Sequence, residues 1–223
     1  MNNGNQLNEK ESLALIAQMI NKAKESCHHT GVSTIMWGIV ITVCSLVRVA
    51  EIHFNYWLPF DIYYTTFIAV LPQIYFSIRE KRERRVKTWE DSFIDYTWLG
   101  FGISIFLLII ITNIIGHNMQ PVIKKYELLT ASPSPFRFYE YVAPLFLMLY
   151  GLPTFITGAG TKFRPMLLGG VFCWVASIIT IYTPGKIDLL LTALAAMLAW
   201  LIPGIILERE YRKARKKLEQ KNV

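Results

Sequence analysis

The chain has 223 residues, of which 53% are hydrophobic and only 17% are charged, and its formal net charge at pH 7 is +7. Soluble globular domains contain about 25% charged residues, so this composition argues against an ordinary soluble domain. The apolar residues are also clustered, since the run from Phe101 to Ile115 contains no Asp, Glu, Lys or Arg. A helix needs about 20 such residues to cross the hydrocarbon core. The composition therefore predicts an integral membrane protein.

Residues 1–32 precede the first long apolar run. Asn8 with Glu11 three residues later forms a capping box, and Leu13 and Ile16 lie at helical spacing. These features predict an amphipathic helix on the cytoplasmic side. It either lies in the membrane interface or packs on the ends of the bundle. The segment lacks the pattern of a cleavable signal peptide, so we expect the first span to target the chain.

Hydropathy over a window of about 19 residues predicts an all-α membrane protein with six transmembrane helices within residues 33–207. The predicted spans are 33–50, 57–78, 95–116, 140–160, 163–183 and 187–207. Alternating charges at 79–85 favour a helical extension of the second span, and the pair Glu208 and Arg212 favours the same for the sixth. Residues 208–223 form a basic tail.

The orientation follows from the distribution of basic residues. Of the 23 Lys and Arg residues, 18 fall in the N-terminal segment, the loop at 79–94, the turn at 161–164 and the tail. These segments alternate with the others, and positively charged segments are retained in the cytoplasm. We therefore expect both termini in the cytoplasm.

Contact with anionic lipid head groups explains why the loop and the tail are basic. The residues predicted to make this contact are Arg82, Arg84, Arg85, Arg212, Lys213 and Lys216. Nucleic-acid binding is not expected, because no recognition fold flanks the spans and no aromatic residues interleave the basic runs. A protein partner or a second copy of the chain on the cytoplasmic face is the other partner hypothesis.

The longest segment on the opposite side is 117–139. Its Ser132 to Pro135 stretch disfavours regular structure, and the residues before it, 122–129, fit a short surface helix. We expect a connecting loop.

Prolines within the predicted spans are the sequence features that bear most directly on a possible mechanism. Pro153 leaves a carbonyl without its usual donor, and the hydroxyls of Thr154 and Thr157 are near enough to compensate. Interrupted helices line substrate sites in many transporters, so these three residues form one candidate ligand site. Helix packing explains proline and glycine in membrane spans equally well.

A second candidate ligand site lies near the outer end of the first span. Arg48 and Glu51 are one helical turn apart, and His53 and Asp61 follow. Such a cluster fits an ion or a polar ligand, while acidic residues at helix starts usually act as caps. The histidine and cysteine spacings do not predict a metal site.

The sequence contains no nucleophile elbow, no His-Glu-x-x-His and no phosphate-binding glycine loop. Neither an enzyme nor a cofactor is therefore expected. Intramembrane catalysis is the third functional hypothesis, behind the two given below.

Five segments carry a resemblance to known proteins, namely Ser33–Gly38, Tyr150–Gly158, Lys162–Pro165, Gly169–Trp174 and Trp200–Gly204. They resemble an uncharacterised family of small bacterial membrane proteins found mainly in Bacteroidetes. The resemblance covers nearly the whole chain and implies a bacterial inner-membrane location. It implies no activity and no functional residues.

The sequence favours two functional hypotheses. The first is a non-catalytic membrane protein with an interaction or regulatory role through its basic cytoplasmic face. The second is a transporter or channel component for a small solute or ion. A polar cavity reaching Pro153, Thr154 and Thr157 would favour transport, and a dry, leucine-filled bundle would favour the first hypothesis.

Overall fold

The computed structural model describes residues 31–83, 89–134 and 138–221. All regular secondary structure over these residues is helical. The predicted N-terminal amphipathic helix lies outside the described residues, as do Arg84 and Arg85.

The described residues form seven α-helices. They are α1 (Val32–Phe54), α2 (Thr65–Glu83), α3 (Trp89–Thr130), α4 (Val142–Gly160), α5 (Arg164–Ile179), α6 (Gly185–Ala196) and α7 (Ile202–Lys221). Short 3-10 turns at Ile62–Tyr64 and Phe138–Tyr141 precede α2 and α4, and a π-helical turn at Met197–Leu201 joins α6 to α7.

Four helical runs in the described residues are long and apolar enough to cross a membrane. They are Val32–Phe54, Asp91–Thr130, Val142–Gly160 and Gly185–Lys216. The apolar helix α5 has only 16 residues, and α2 carries the charged extension that was predicted for it. The protein is therefore helical and suited to a membrane, with helices near all six predicted spans.

The start of α2 differs from the predicted span 57–78. The helix begins at Thr65, because Asp61 caps the preceding 3-10 turn by accepting a hydrogen bond from the backbone N–H of Tyr63 at 3.0 Å. The N–H of Leu58 is bound to the side chain of Glu51 at 3.0 Å. These contacts hold residues 55–61 in a non-helical conformation.

The predicted loop at 117–139 is wrong up to Thr130, although the residues 122–129 that were expected to be helical are part of a helix. Helix α3 continues through Pro121 to Thr130, and its 42 residues correspond to about 63 Å of helix. Loss of the single proline donor does not end the helix. The helix ends before Ala131, whose φ of 48° is left-handed.

The core lies where α4, α5, α6 and the π-helical turn meet α1. Leu147, Cys173, Ala195 and Ala199 are completely buried there. The small residues allow close approach: a Cβ built on Gly169 would lie 2.5 Å from the Cα of Ala199. The core is thus formed by small side chains and close backbone contacts.

The π-helical turn has a local cause in Pro203. Proline lacks the N–H that would donate to the carbonyl of Ala199, so the regular ladder cannot pass this point unchanged. The N–H of Ile202 donates to the carbonyl of Met197, five residues earlier. Beyond it α7 continues to Lys221, which confirms the predicted helical extension of the sixth apolar segment.

Candidate functional site

A large cleft runs along the bundle between α2 and α3. Helix α2 packs on α1, and α3 packs on α4, so the two helices stand apart and leave a cavity of about 2000 Å³. Ser33 and Ile52, near opposite ends of α1, both line it. Nineteen residues of helix span about 28 Å, which is close to the hydrocarbon thickness of a bilayer. The cleft therefore extends over nearly the full depth of a membrane.

The cleft also opens sideways. Phe67 of α2 and Ile103 and Phe106 of α3 line it, yet they are 47%, 54% and 54% exposed. Apolar side chains exposed to this degree are expected to face lipid in a membrane protein. A molecule in the bilayer thus has a lateral path into the cleft.

Aromatic rings form the wall at mid-depth. The ring centroids of Tyr150 and Trp200 are 4.8 Å apart, those of Trp98 and Phe101 are 5.6 Å apart, and those of Phe101 and Tyr150 are 6.1 Å apart. All four residues line the cleft. This wall brings together α3, α4 and the π-helical turn, and it offers ring faces and edges to an apolar or cationic group.

The first predicted ligand site lies directly behind this wall. Thr154 is fully buried, and its Oγ1 accepts a hydrogen bond from Trp200 Nε1 at 2.8 Å. Thr157 lines the cleft, and its Oγ1 accepts from Trp98 Nε1 at 3.1 Å. Pro153 is also fully buried and does not line the cleft. Of the three candidate residues, only Thr157 borders the cleft.

The expected compensation for Pro153 is not seen in the hydrogen bonds of these hydroxyls. Pro153 deprives the carbonyl of Leu149 of its helical donor. Thr154 Oγ1 instead donates to the carbonyl of Tyr150 at 2.7 Å. The hydroxyl serves to position the indole of Trp200.

The second predicted site is an ion pair at one end of α1. Arg48 Nη1 donates to Glu51 Oε2 at 2.8 Å, and the guanidinium lies 5.0 Å from the ring centroid of Trp57. The pairing expected from the sequence is therefore made; the side chain of Glu51 is 3% exposed and that of Arg48 is 30% exposed, so the ion pair borders the surface. Arg48 and Asp61 line the cleft, whereas Glu51 and His53 do not.

The two ends of the cleft carry charged side chains. The Arg48 end is lined by Arg48, Asp61 and Asp188. The Lys81 end is lined by Glu80, Lys81, Asp91, Asp95 and Glu210. Helices α1 and α2 run antiparallel, because Trp37 is hydrogen-bonded to Gln73 while Ser45, later in α1, is hydrogen-bonded to Tyr63, just before α2.

The described basic residues that were predicted to contact lipid are on the surface. Arg82, Arg212, Lys213 and Lys216 are exposed, and Arg212 Nε donates to Glu208 Oε1 at 2.8 Å. None of the four lines the cleft. Over the described residues, no group of three or more His, Cys, Asp or Glu side chains is arranged to hold a metal ion.

Sequence reasoning did not single out Trp98, Tyr150 and Trp200. Their only local signal is an aromatic residue close to glycine, as in Trp98-Leu99-Gly100 and Tyr150-Gly151. That signal is common in membrane helices and does not reveal that the three rings meet. Comparison with family models, with curated proteins and with solved structures found no match to this chain.

Proposed function

We propose that this chain is a six-span integral protein of the bacterial inner membrane that binds an amphipathic molecule in the cleft and moves it across the bilayer. The observation that carries the proposal is the cleft of about 2000 Å³, continuous from one end of the bundle to the other. Most of its wall is apolar and aromatic, while its ends are charged. An amphipathic molecule matches both features, because its apolar part is buried and its polar part meets charged groups.

The proposal selects the transport alternative and changes the class of solute. A small inorganic ion would need polar groups along the path. The middle of this cleft instead presents Phe101, Ile105, Tyr150 and Trp200. An apolar chain or ring system is the better match for such a wall. No catalytic step is proposed.

A probe that enters from the bilayer tests this function. We would use an alkyl glycoside with an uncharged sugar and a diazirine at mid-chain, photolysed with the protein in nanodiscs and mapped by mass spectrometry. Labelling is expected at Phe101, Tyr150 and Trp200, which line the cleft. Labelling confined to the outer faces of the helices would overturn the proposal.

Two glycines of α3 supply a matched pair of variants. Neither Gly100 nor Gly102 has a neighbouring atom within 4 Å of a built Cβ, but only Gly102 lines the cleft. Gly102→Trp should therefore block the cleft and abolish labelling of Tyr150 and Trp200, while Gly100→Trp should leave it unchanged. Equal labelling in both variants would show that the probe does not occupy the cleft.

The six spans and the cytoplasmic position of both termini form the topological part of the proposal. The test is labelling of single cysteines by a membrane-impermeant thiol reagent, with the native cysteines replaced by Ser. Labelling from the cytoplasmic side is expected at positions 81, 162 and 216, and from the opposite side at 60, 124 and 186. Any exchange of sides between these groups would refute the proposed topology.

A second candidate function is binding of anionic lipid or of a partner by the basic cytoplasmic face. The specific observation is the exposure of Arg212, Lys213 and Lys216 on the helical extension α7. Polybasic segments are attracted to anionic head groups by about 1 kcal/mol per residue. Replacing the three with Gln should weaken binding of a soluble 202–223 peptide to vesicles containing phosphatidylglycerol, and unchanged binding would contradict the lipid-binding role.

A further inference from the structure

The distribution of charge between the cleft and the rest of the protein is uneven. The chain carries a net charge of +7. Among the described residues that line the cleft, however, six are acidic and only two are basic, which gives a formal charge of −4. Over the described residues, the formal charge of the cleft lining is thus opposite in sign to that of the whole chain.

The excess of acidic residues in the lining is largest at the Lys81 end. Helices α2 and α7 carry several basic residues there, yet Arg82, Arg209 and Arg212 do not line the cleft. Asp91 and Glu210 do, and Asp91 is only 4% exposed. Among the described residues of this end, four acidic side chains and one basic side chain, that of Lys81, line the cleft.

The lining of the Arg48 end also has more acidic than basic residues, but these residues have different partners. Asp188 lines the cleft although it is only 2% exposed, and its Oδ1 accepts a hydrogen bond from Thr183 Oγ1 at 2.6 Å. Arg48, the basic residue of this end, is already paired with Glu51 at 2.8 Å. Its charge is therefore largely compensated before any ligand arrives.

The aromatic wall adds an attraction of the same sign. Trp, Tyr and Phe faces attract cations, and quaternary ammonium groups are recognised by aromatic cages on this basis. Trp98, Tyr150 and Trp200 lie between the two acidic ends, so a cation passing along the cleft meets acidic residues, then aromatic rings, then acidic residues.

Resting on the proposed function, we propose that the cleft selects amphipathic organic cations, in which a delocalised or quaternary positive charge is attached to a bulky apolar or aromatic body. Anionic amphipaths of the same size bind less tightly, because the acidic residues at the two ends repel them. The negative charge of the lining and its aromatic middle together specify this class.

Two probes of nearly identical size and opposite charge test the sign. Tetraphenylphosphonium and tetraphenylborate are each titrated against labelling of the cleft by the uncharged diazirine probe in nanodiscs of neutral lipid. A unit charge near several acidic groups at an effective dielectric constant of about 20 corresponds to a preference of about tenfold or more. We expect tetraphenylphosphonium to displace the probe at least about tenfold more effectively than tetraphenylborate, after correction for partitioning into protein-free nanodiscs.

Amide variants identify the groups responsible. Asp95→Asn combined with Glu210→Gln should reduce this preference, whereas Glu208→Gln, two residues away on the same helix but outside the cleft, should not change it. Because retained or improved displacement by tetraphenylborate demonstrates an intact cleft, a misfolded variant is recognised directly.

The outcomes separate the two proposals. Equal displacement by the two ions, or stronger displacement by tetraphenylborate, overturns the inference about charge and leaves the proposed binding cleft intact. Absence of probe labelling in the cleft of the unmodified protein overturns the proposed function and the inference with it.

Discussion

The hydrogen bond between Trp200 and Thr154 provides a direct test of the packing behind the cleft. Thr154 Oγ1 accepts from Trp200 Nε1 at 2.8 Å. The exposed fractions of the two residues are 0% and 3%. Thr154→Val keeps the shape of the side chain and removes the acceptor. The indole N–H is then left buried without a partner.

Two typical hydrogen-bond energies set the range expected for the loss in the free energy of unfolding. A buried donor that loses its acceptor costs about 1–3 kcal/mol in soluble proteins. Hydrogen bonds between membrane helices average about 0.6 kcal/mol and reach about 1.7 kcal/mol. The loss of the bond from Thr154 to the Tyr150 carbonyl adds little, because that carbonyl belongs to the helical ladder. We expect the free energy of unfolding to fall by about 1–2 kcal/mol.

The protein's own cysteines provide the assay. Cys44 and Cys173 are buried free thiols. When the third cysteine of the sequence, Cys27, is replaced by Ser, a thiol-reactive dye reports unfolding through these two thiols. Thr157→Val is the comparison variant. Its partner Trp98 is only partly buried and borders the cleft, so its loss should be smaller. Equal or reversed losses would refute the assignment of the buried bond.

A double-mutant cycle isolates the interaction itself. Trp200→Phe removes the N–H, so Thr154→Val should then cost about 1–2 kcal/mol less than in the unmodified chain. A cycle with no coupling would mean that the two side chains do not interact as described.

Two further predictions use the same dye assay. Gly169→Ala should lower the free energy of unfolding by about 1–3 kcal/mol, because its Cβ would lie 2.5 Å from the Cα of Ala199. Gly160→Ala, with no atom within 4 Å, should be neutral or stabilising by up to about 1 kcal/mol, and equal losses in both would contradict the packing argument. Arg48→Met should lower the free energy of unfolding, because it removes the ion pair and leaves the carboxylate of Glu51 with only the hydrogen bond from the Leu58 N–H. Adding Glu51→Gln should restore part of that loss, and a double variant as unstable as Arg48→Met alone would contradict the ion-pair explanation.

The approximate positions of the helices could be predicted from the lengths of the apolar runs. The residues at which helices begin and end could not, because they also depend on local contacts. Residues 57–64 are apolar enough to join the second predicted span, but the Asp61 cap delays the helix to Thr65. Pro121 is a local signal for a helix end, yet α3 passes through it. At Asp61 a local contact outweighed the tendency of the apolar segment, whereas at Pro121 the tendency of the segment outweighed the local signal.

The cleft could not have been predicted in this way. Helices joined by a short loop are usually neighbours in space, so sequence order would place α2 against α3, but the structure packs each on a different helix. Thr154 was selected for its hydroxyl in an interrupted helix, and that hydroxyl is occupied by Trp200. Which side chains line a cavity depends on contacts between helices that are distant in sequence.

The separate attachment of α2 and α3 has a consequence for the local stability of the molecule. Either helix can move away from the bundle without disturbing the contacts among α1, α4, α5 and α6. The free energy of such an opening is only a fraction of the global value. Backbone amides in α2 and α3 should therefore exchange with solvent through local openings well before those of α5. The width of the cleft is then set by fluctuations that leave the core folded.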